Sequence, residues 1–375
     1  MSGEIHKLTV PKWGLTMERG TLAAWNRQPG DRVETGDEVC DLETEKIMGG
    51  IESPVSGILR RQVASVGDVL PIGALLGVIA DESVSDAEID AFIADFKADI
   101  AAESDADDGT PPPAPEHIEV AGRRVRHLAQ PGQGTPIVLV HGFGGNLENW
   151  ILNQAALAAG GHPVAALDLP GHGESLKTLD DGSLGELASS VMAYMDFMGF
   201  KEAHLVGHSM GSAVCLMVQR QAPSRVKSLS LIAPAGVGQA VNNAYIQGFT
   251  NAQTRRELKP VLEQLFAEPG FVSRQLVDDT LKYKRLEGMT AALSAIAERS
   301  LGHAGAALPE LATQVPLIMI WGAADQVIPP PNPAQWAQTD VEFHLLEGMG
   351  HMVQVEAAAE VNRRIIDFLS RQQAS

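Results

Sequence analysis

Residues 205–212 read Leu-Val-Gly-His-Ser-Met-Gly-Ser, a Gly-x-Ser-x-Gly pattern that follows an apolar run and precedes a helical one. Glycines at positions 207 and 211 permit the tight turn that a strand-to-helix junction of this kind needs. Such a turn would lift the hydroxyl of Ser209 out of a sheet and place it at a helix N-terminus. Short patterns also arise by chance, so the meaning of this one depends on the chain around it.

The surrounding region, residues 118–375, alternates apolar runs with helical patterns, which predicts a mostly parallel sheet with helices on both faces. The interval from about 235 to 315 interrupts the alternation and is largely helical in pattern, so we expect a cap over the C-terminal edge of the sheet. The predicted strands are 137–140, 164–168, 203–207, 228–232, 317–321 and 342–345, and the predicted helices include 212–221, 255–266, 273–284, 289–299 and 358–370.

Two later positions supply the partners that a nucleophilic serine needs. Asp325 comes shortly after the fifth predicted strand, and His351 follows the last one, in the chain order Ser, Asp, His. Both lie where loops leave the C-terminal edge of the sheet. We therefore predict that Ser209 attacks, that His351 carries the proton, and that Asp325 holds the imidazole tautomer and its positive charge.

The stretch Val138–Gly145, VLVHGFGG, is similar to the oxyanion loop of α/β-hydrolases. This resemblance extends over residues 118–375 and implies that the backbone N–H groups of Phe143 and Met210 hold a developing oxyanion. Other polar residues in these turns are expected to have structural roles; they are His141, Asp168, His172 and His208. Cys215, on the helix after Ser209, is expected to be a core residue.

Residues 1–80 predict a small all-β sandwich of two similar halves. Gly30–Gly36 is echoed 37 residues later by Gly67–Gly73, and both segments begin Gly-Asp. The halves meet at Asp41–Met48, where Lys46 would lie at the tip of a hairpin. The tetrapeptide Glu-Thr-Glu-Lys resembles the lipoylation site of 2-oxoacid and acetoin dehydrogenase complexes, which implies a covalent lipoyl group on Lys46. Biotin-carrier domains share this fold, but methionines usually flank their lysine.

Residues 81–117 form a predicted connector. A helical pattern covers 84–100, and an acidic and then proline-rich stretch follows, whose composition predicts no ordered structure. Two hypotheses remain for the helix: it could dock partner enzymes, or it could pack on its own chain.

Composition excludes several classes of function. The net charge of −19 argues against nucleic acid and against an anionic membrane surface. Metal-binding motifs and apolar runs of membrane-spanning length are missing from the sequence, and the N-terminus lacks a secretory pattern. Cys40 and Cys215 fall in different predicted domains, so we expect reduced thiols and a cytoplasmic protein.

A lipoyl domain fused to an α/β-hydrolase domain resembles the acyltransferase component of acetoin dehydrogenase complexes. The resemblance implies that the protein transfers an acetyl group from the dihydrolipoyl arm to coenzyme A. It also implies two partner enzymes, a thiamine-dependent acetoin dehydrogenase component and a dihydrolipoyl dehydrogenase. The protein itself would form a homo-oligomer. The His-x-x-x-Asp-Gly motif of the commoner 2-oxoacid acyltransferases is missing from this sequence. Two alternatives stay open: a thioester or carboxylic ester hydrolase with a lipoyl carrier attached, and a carrier whose hydrolase domain is vestigial.

Overall fold

The computed structural model describes residues 5–10, 19–43, 48–71, 73–105, 113–237, 240–301, 315–336 and 339–373. The chain divides into two compact units, Met1–Pro112 and Pro113–Ser375. Among the helices of the described ranges, none combines the length and apolar character that crossing a membrane requires.

Two four-stranded antiparallel sheets build the N-terminal unit. Their inner faces enclose a core in which Leu22, Leu42, Leu59 and Leu76 are fully buried. The strand orders are β1-β8-β6-β3 and β5-β4-β2-β7. The strands are β1 (Ile5–Thr9), β2 (Arg19–Trp25), β3 (Arg32–Val33), β4 (Glu38–Glu43), β5 (Met48–Glu52), β6 (Gly57–Gln62), β7 (Val69–Pro71) and β8 (Leu75–Ala80).

The sequence repeat corresponds to a repeat in backbone structure. Gly30 and Gly67 both have a left-handed φ, of 98° and 95°, which glycine adopts without steric cost. The N–H of Gly30 donates to the carbonyl of Leu59, and the N–H of Gly67 donates to the carbonyl of Leu22. Leu22 and Leu59 are themselves 37 residues apart, so each half closes the turn of the other. The structure thus contains the two similar halves that the sequence predicts, and it shows in addition that they bind each other through equivalent turns.

The predicted lysine hairpin is present as far as the structure describes it. Strands β4 and β5 pair antiparallel, and Glu43 lies opposite Met48 at the end of the ladder. Four residues, 44–47, join the two strands. Lys46 is one of them and lies outside the described residues.

Helix α1 (Asp86–Asp105) packs on the N-terminal unit itself. Ile89 is fully buried, and it joins a cluster with Leu75 and Val78 of strand β8. The guanidinium of Arg60, in strand β6, binds the carbonyl of Val84 and the carboxylate of Asp86 at the start of the helix. These contacts favour packing on its own chain over docking of partners for this end of the helix. The helix also continues five residues beyond its predicted end, into the acidic stretch expected to be unstructured.

An eight-stranded sheet forms the centre of the C-terminal unit, in the order β16-β15-β14-β13-β11-β12-β10-β9. The six strands from β16 to β12 run parallel, whereas β10 and β9 are antiparallel to their neighbours. The strands are β9 (Glu116–Val120), β10 (Arg123–Gln130), β11 (Ile137–Val140), β12 (Val164–Leu167), β13 (Ala203–His208), β14 (Val226–Ile232), β15 (Leu317–Gly322) and β16 (Val341–Leu346).

Helices cover both faces of this sheet, as predicted. In β11, Val138 belongs to the core that includes α3 and α4, and Leu139 belongs to the core that includes α10. This alternation along the strand is typical of a sheet buried on both sides. The helices are α2 (Gln154–Ala158), α3 (Leu184–Phe197), α4 (Met210–Gln221), α5 (Asn243–Asn251), α6 (Arg255–Glu263), α7 (Arg274–Lys284), α8 (Met289–Ile296), α9 (Val353–Glu356) and α10 (Ala358–Gln373).

The structure differs from the predictions at the start of this unit. Strands β9 and β10 were not predicted, and β9 begins at Glu116, inside the predicted connector 81–117. Strand β10 lacks the apolar pattern of a buried strand because it contains charged residues. One of them, Arg126, is nevertheless buried, because it pairs with Glu148 and Asp168. In the cap, helix α6 ends at Glu263 rather than at 266.

Candidate active site

Ser209 lies at a strained turn between strand β13 and helix α4. Its φ is 53°, a left-handed conformation that costs a non-glycine residue about 1–3 kcal/mol. The flanking glycines make this turn possible. A Cβ atom on Gly207 would lie 2.6 Å from the backbone of Ser212, and one on Gly211 would lie 2.1 Å from the carbonyl oxygen of Val140. No larger side chain fits at either position, which explains the spacing in the sequence.

The carboxylate of Asp325 accepts hydrogen bonds from three donors, two in its own loop and one in the preceding strand β15. Its Oδ1 atom accepts the backbone N–H groups of Val327 and Ile328, both at 2.8 Å. Its Oδ2 atom accepts the indole N–H of Trp321 at 3.1 Å. Trp321 is the fifth residue of strand β15, so a rigid element sets the direction of the carboxylate.

His351 completes the set of hydrogen bonds around Asp325. Its Nδ1 atom lies 2.8 Å from Oδ2 of Asp325, and both side chains are buried. The other three neighbours of this carboxylate all donate hydrogen bonds to it, so Nδ1 of His351 also acts as a donor and carries a proton. In the neutral imidazole the lone pair is then on Nε2. The sequence-predicted acid and histidine are therefore brought together, although 26 residues separate them.

The same histidine lies beside the serine turn. The ring of His208, next to Ser209 in the chain, is 4.7 Å from the ring of His351. Nε2 of His208 donates to the carbonyl of His351 at 3.0 Å. Burial above all lowers the pKa of His208 well below its usual value, and the neighbouring His351 lowers it further. His208 is consequently neutral and suited to packing and hydrogen bonding, as the sequence suggested.

The predicted oxyanion loop also lies against the serine. A Cβ atom on Gly142 would lie 3.1 Å from Cβ of Ser209, so Phe143 follows a residue in direct contact with the turn at Ser209. Met210 is the first residue of α4, and the first N–H groups of a helix have no acceptor within it. The two predicted donors thus belong to two backbone segments that meet at Ser209.

Asp168 and His141 hold the loops behind this site. Asp168 is fully buried, and its carboxylate accepts the N–H groups of Leu147 and Glu174 at 2.8 Å each. His141 accepts the N–H of Leu169 on Nε2, at 3.0 Å. Burial lowers the pKa of His141, which keeps it neutral. Both residues have the structural roles expected from the sequence.

Cap residues that the sequence did not single out pack on the oxyanion loop. The ring of Phe249, in helix α5, fills the space beside Gly144, where a Cβ atom would lie 2.4 Å from it. Lys284 donates through Nζ to the carbonyls of Phe249 and Ala252 at the end of α5. Burial lowers the pKa of Lys284 to about 8. No motif marks these residues, because their contacts join segments more than 30 residues apart.

The remaining candidate residues lie apart from this cluster or outside the described residues. Cys215 is buried in α4, and burial raises its pKa, so its thiol is a core group. The structure does not describe Lys46. Among the described residues, no group of three or more His, Cys, Asp or Glu side chains is arranged to hold a metal ion.

Comparison with known families separates the same two units. Residues 135–358 match the model of the alpha/beta hydrolase fold, and residues 6–79 match that of biotin-requiring enzymes. A meta-cleavage product hydrolase from Pseudomonas fluorescens has a similar structure, with a TM-score of 0.62 and 20% sequence identity over 68% of this chain and 97% of that one. The fold and the site thus define an α/β-hydrolase-fold protein with a biotinyl- or lipoyl-type domain attached.

Two curated relatives span nearly the whole chain. The dihydrolipoyllysine-residue acetyltransferase component of the acetoin cleaving system of Pseudomonas putida is 48% identical, over 98% of this chain and 99% of its own length. The protein of the same description from Cupriavidus necator is 43% identical, over 96% of both chains. This chain therefore belongs to the family of dihydrolipoyllysine-residue acetyltransferase components of acetoin cleaving systems.

Proposed function

We propose that this protein transfers an acetyl group from a dihydrolipoyl arm on Lys46 to coenzyme A, through an acetyl ester on Ser209. Membership of the acetyltransferase family over both units supports the reaction. The observation that carries the mechanism is the 2.8 Å contact between Nδ1 of His351 and Oδ2 of Asp325, beside the strained turn at Ser209.

The N-terminal unit has features that suit a covalent lipoyl group. The β4–β5 ladder ends at Glu43 and Met48, so the four residues that include Lys46 join the strands at one end of the sheet. When attached, the group supplies a thiol that carries the acetyl group as a thioester. A tether of this kind raises the effective concentration of the acetyl group at a site in the same complex.

Ser209 performs the first step. Its Oγ atom attacks the thioester carbonyl carbon while Nε2 of His351 takes the hydroxyl proton. The N–H groups of Phe143 and Met210 donate to the oxygen that becomes negative, and each such donor contributes about 3 kcal/mol to lowering the barrier. The C–S bond then breaks, and His351 returns the proton to the departing sulfur. The acetyl group is left as an ester on Ser209.

The second step reverses the first with another thiol. His351 takes the thiol proton of coenzyme A, the sulfur attacks the ester carbonyl, and the C–O bond to Ser209 breaks as His351 returns the proton to Oγ. Water would compete at this stage. Ser209 is 8% exposed and His351 is 2% exposed, so both side chains lie largely out of bulk solvent. Transfer requires in addition that the site admit the coenzyme while it excludes water from the ester.

The partners follow from the same assignment. A thiamine-dependent acetoin dehydrogenase component would load the arm with acetyl groups, and a dihydrolipoyl dehydrogenase would reoxidise it. We also expect the protein to assemble as a homo-oligomer in the cytoplasm.

Incubation of the lipoylated protein with acetyl-lipoamide, with and without coenzyme A, tests this function. The proposal predicts acetyl-coenzyme A from the wild-type protein and a loss of at least about 1000-fold for Ser209→Ala. Release of free acetate at one rate, whether or not coenzyme A is present, would instead identify a hydrolase.

A further inference from the structure

The carboxylate of Glu356 uses both its oxygens to hold backbone around the candidate active site. Oε2 accepts the N–H of Gly350 at 2.8 Å, and Oε1 accepts the N–H of Ala267 at 2.7 Å. Gly350 directly precedes His351, whereas Ala267 belongs to the cap, 89 residues from Glu356. One side chain therefore ties the histidine loop to the cap.

The backbone of His351 is also held from its other side. Nε2 of His208 donates to the carbonyl of His351 at 3.0 Å. Two hydrogen bonds thus hold the backbone on either side of His351: Glu356 binds the N–H of the preceding residue, Gly350, and His208 binds the carbonyl of His351 itself. These bonds limit movement of the backbone that carries the imidazole.

Close packing leaves the loop little freedom to shift. A Cβ atom on Gly350 would lie 2.6 Å from the backbone nitrogen of Ala267, so the loop is pressed against the cap. A Cβ atom on Gly322 would lie 2.1 Å from the carbonyl oxygen of Gly350, so the end of strand β15 is also packed closely against this loop. Two backbone N–H donors meet in this confined space, and a single carboxylate accepts both.

We propose that Glu356 is a positioning residue that sets the imidazole of His351 for proton transfer by accepting the N–H of Gly350 and that of Ala267 together. This inference rests on the proposed role of His351 as the base for Ser209. A glutamine at this position has the same shape but one acceptor oxygen, so its amide group would face one of the two N–H donors. That donor would lose its partner, and the histidine loop would shift.

The test compares Glu356→Gln with Glu347→Gln in the full chain. Glu347 is exposed and lies four residues before His351 in the same loop, so it controls for the loss of one negative charge from that loop. Diisopropyl fluorophosphate is the probe: Oγ of Ser209 forms a bond to phosphorus, fluoride leaves, and His351 takes the hydroxyl proton. Titration of the sites labelled at completion counts the folded protein, and the rate of labelling measures activation per site.

We expect the rate per site to fall about 10- to 100-fold in Glu356→Gln, the loss typical of a catalytic group displaced by about 1 Å. Glu347→Gln should stay within about twofold of the wild type on the same scale. A purely structural role would lower the number of sites and leave the rate per site unchanged, which would overturn the proposal. If Glu356→Gln yields no folded sites, Glu356→Asp takes its place in the comparison. A rate per site in Glu356→Asp equal to that of the wild type would then overturn the proposal.

The same probe separates this inference from the proposed function. Equal labelling of the wild type and Ser209→Ala would mean that Ser209 is not the nucleophile, and the proposed function would fail. Labelling at Ser209 alone, together with a wild-type rate in Glu356→Gln, would contradict only the role of Glu356.

Discussion

Gly211 approaches the carbonyl oxygen of Val140 so closely that a Cβ atom at position 211 would lie 2.1 Å from it. Both partners are backbone, so neither can move without shifting helix α4 or strand β11. We predict that Gly211→Ala lowers the free energy of unfolding by about 3 kcal/mol, the upper range for overpacking. It should also abolish acetyl transfer, because the turn at Ser209 would be displaced. Chemical denaturation and a transfer assay measure the two effects.

A matched control exists in the cap. Apart from its two chain neighbours, no described residue has an atom within 4 Å of the position that a Cβ atom on Gly270 would take. Gly270→Ala should therefore leave stability and activity nearly unchanged. Equal behaviour of the two variants would show that the close approach at Gly211 does not constrain the fold.

Asp325→Asn tests the orientation of the histidine. An amide at this position cannot accept all four donors that the carboxylate accepts, and its NH₂ group would favour the wrong imidazole tautomer. We predict a fall in kcat of about 10⁴-fold with little loss of stability, as is typical when an acid of this kind is replaced. Asp340 is exposed, so Asp340→Asn should retain full activity. An Asp325→Asn variant within about tenfold of the wild type would be inconsistent with this role.

We predict that the buried ring of His204 makes the folded protein less stable at acid pH. Its ring is buried with Nδ1 2.7 Å from Oγ of Ser228, and burial lowers its pKa to about 4. The unfolded chain takes up this proton near its ordinary pKa of 6.5, well before the folded chain does. The free energy of unfolding therefore falls as the pH drops from the unfolded pKa towards the folded one.

Between about pH 7 and about pH 5, we expect His204 to account for about 2 kcal/mol of the decrease in the free energy of unfolding. His204→Asn should abolish this part of the decrease, as measured by urea denaturation at each pH. An unchanged pH dependence in His204→Asn would mean that folding does not lower the pKa of His204.

Lys46 gives a prediction that needs no assay of activity. The intact mass of protein from a host with a lipoylation system should include one lipoyl group, which Lys46→Arg should lack. Lys7→Arg, a change at another lysine of the same unit, should keep it. An unmodified wild-type mass from such a host would contradict the assignment of Lys46.

The sequence predicted the centre of both units well, because their determinants are local. Gly207, Ser209 and Gly211 lie within five residues of one another. The repeat with a spacing of 37 residues is visible in the sequence, and the turns at Gly30 and Gly67 have the same backbone conformation in the structure. The apolar strands from β11 to β16 were recognisable for the same reason.

Features that depend on contacts distant in the chain escaped prediction. Strand β10 carries Arg126 and His127, which are buried only because Glu148 and Tyr194 bind them. The hydrogen bond from Ala267 to Glu356 likewise joins the segment after α6 to the end of helix α9, and no local pattern relates the two. Helix α1 continues into an acidic stretch whose composition alone indicated disorder.

The most direct test of the account is to mix the protein with an acetyl thioester in the absence of coenzyme A, quench, and locate the acetyl group by peptide mass spectrometry. The account predicts an acetyl ester on Ser209 that Ser209→Ala lacks and that added coenzyme A converts into acetyl-coenzyme A within one turnover. Formation of acetyl-coenzyme A by Ser209→Ala at the wild-type rate, with no acetyl group on the serine peptide, would contradict it.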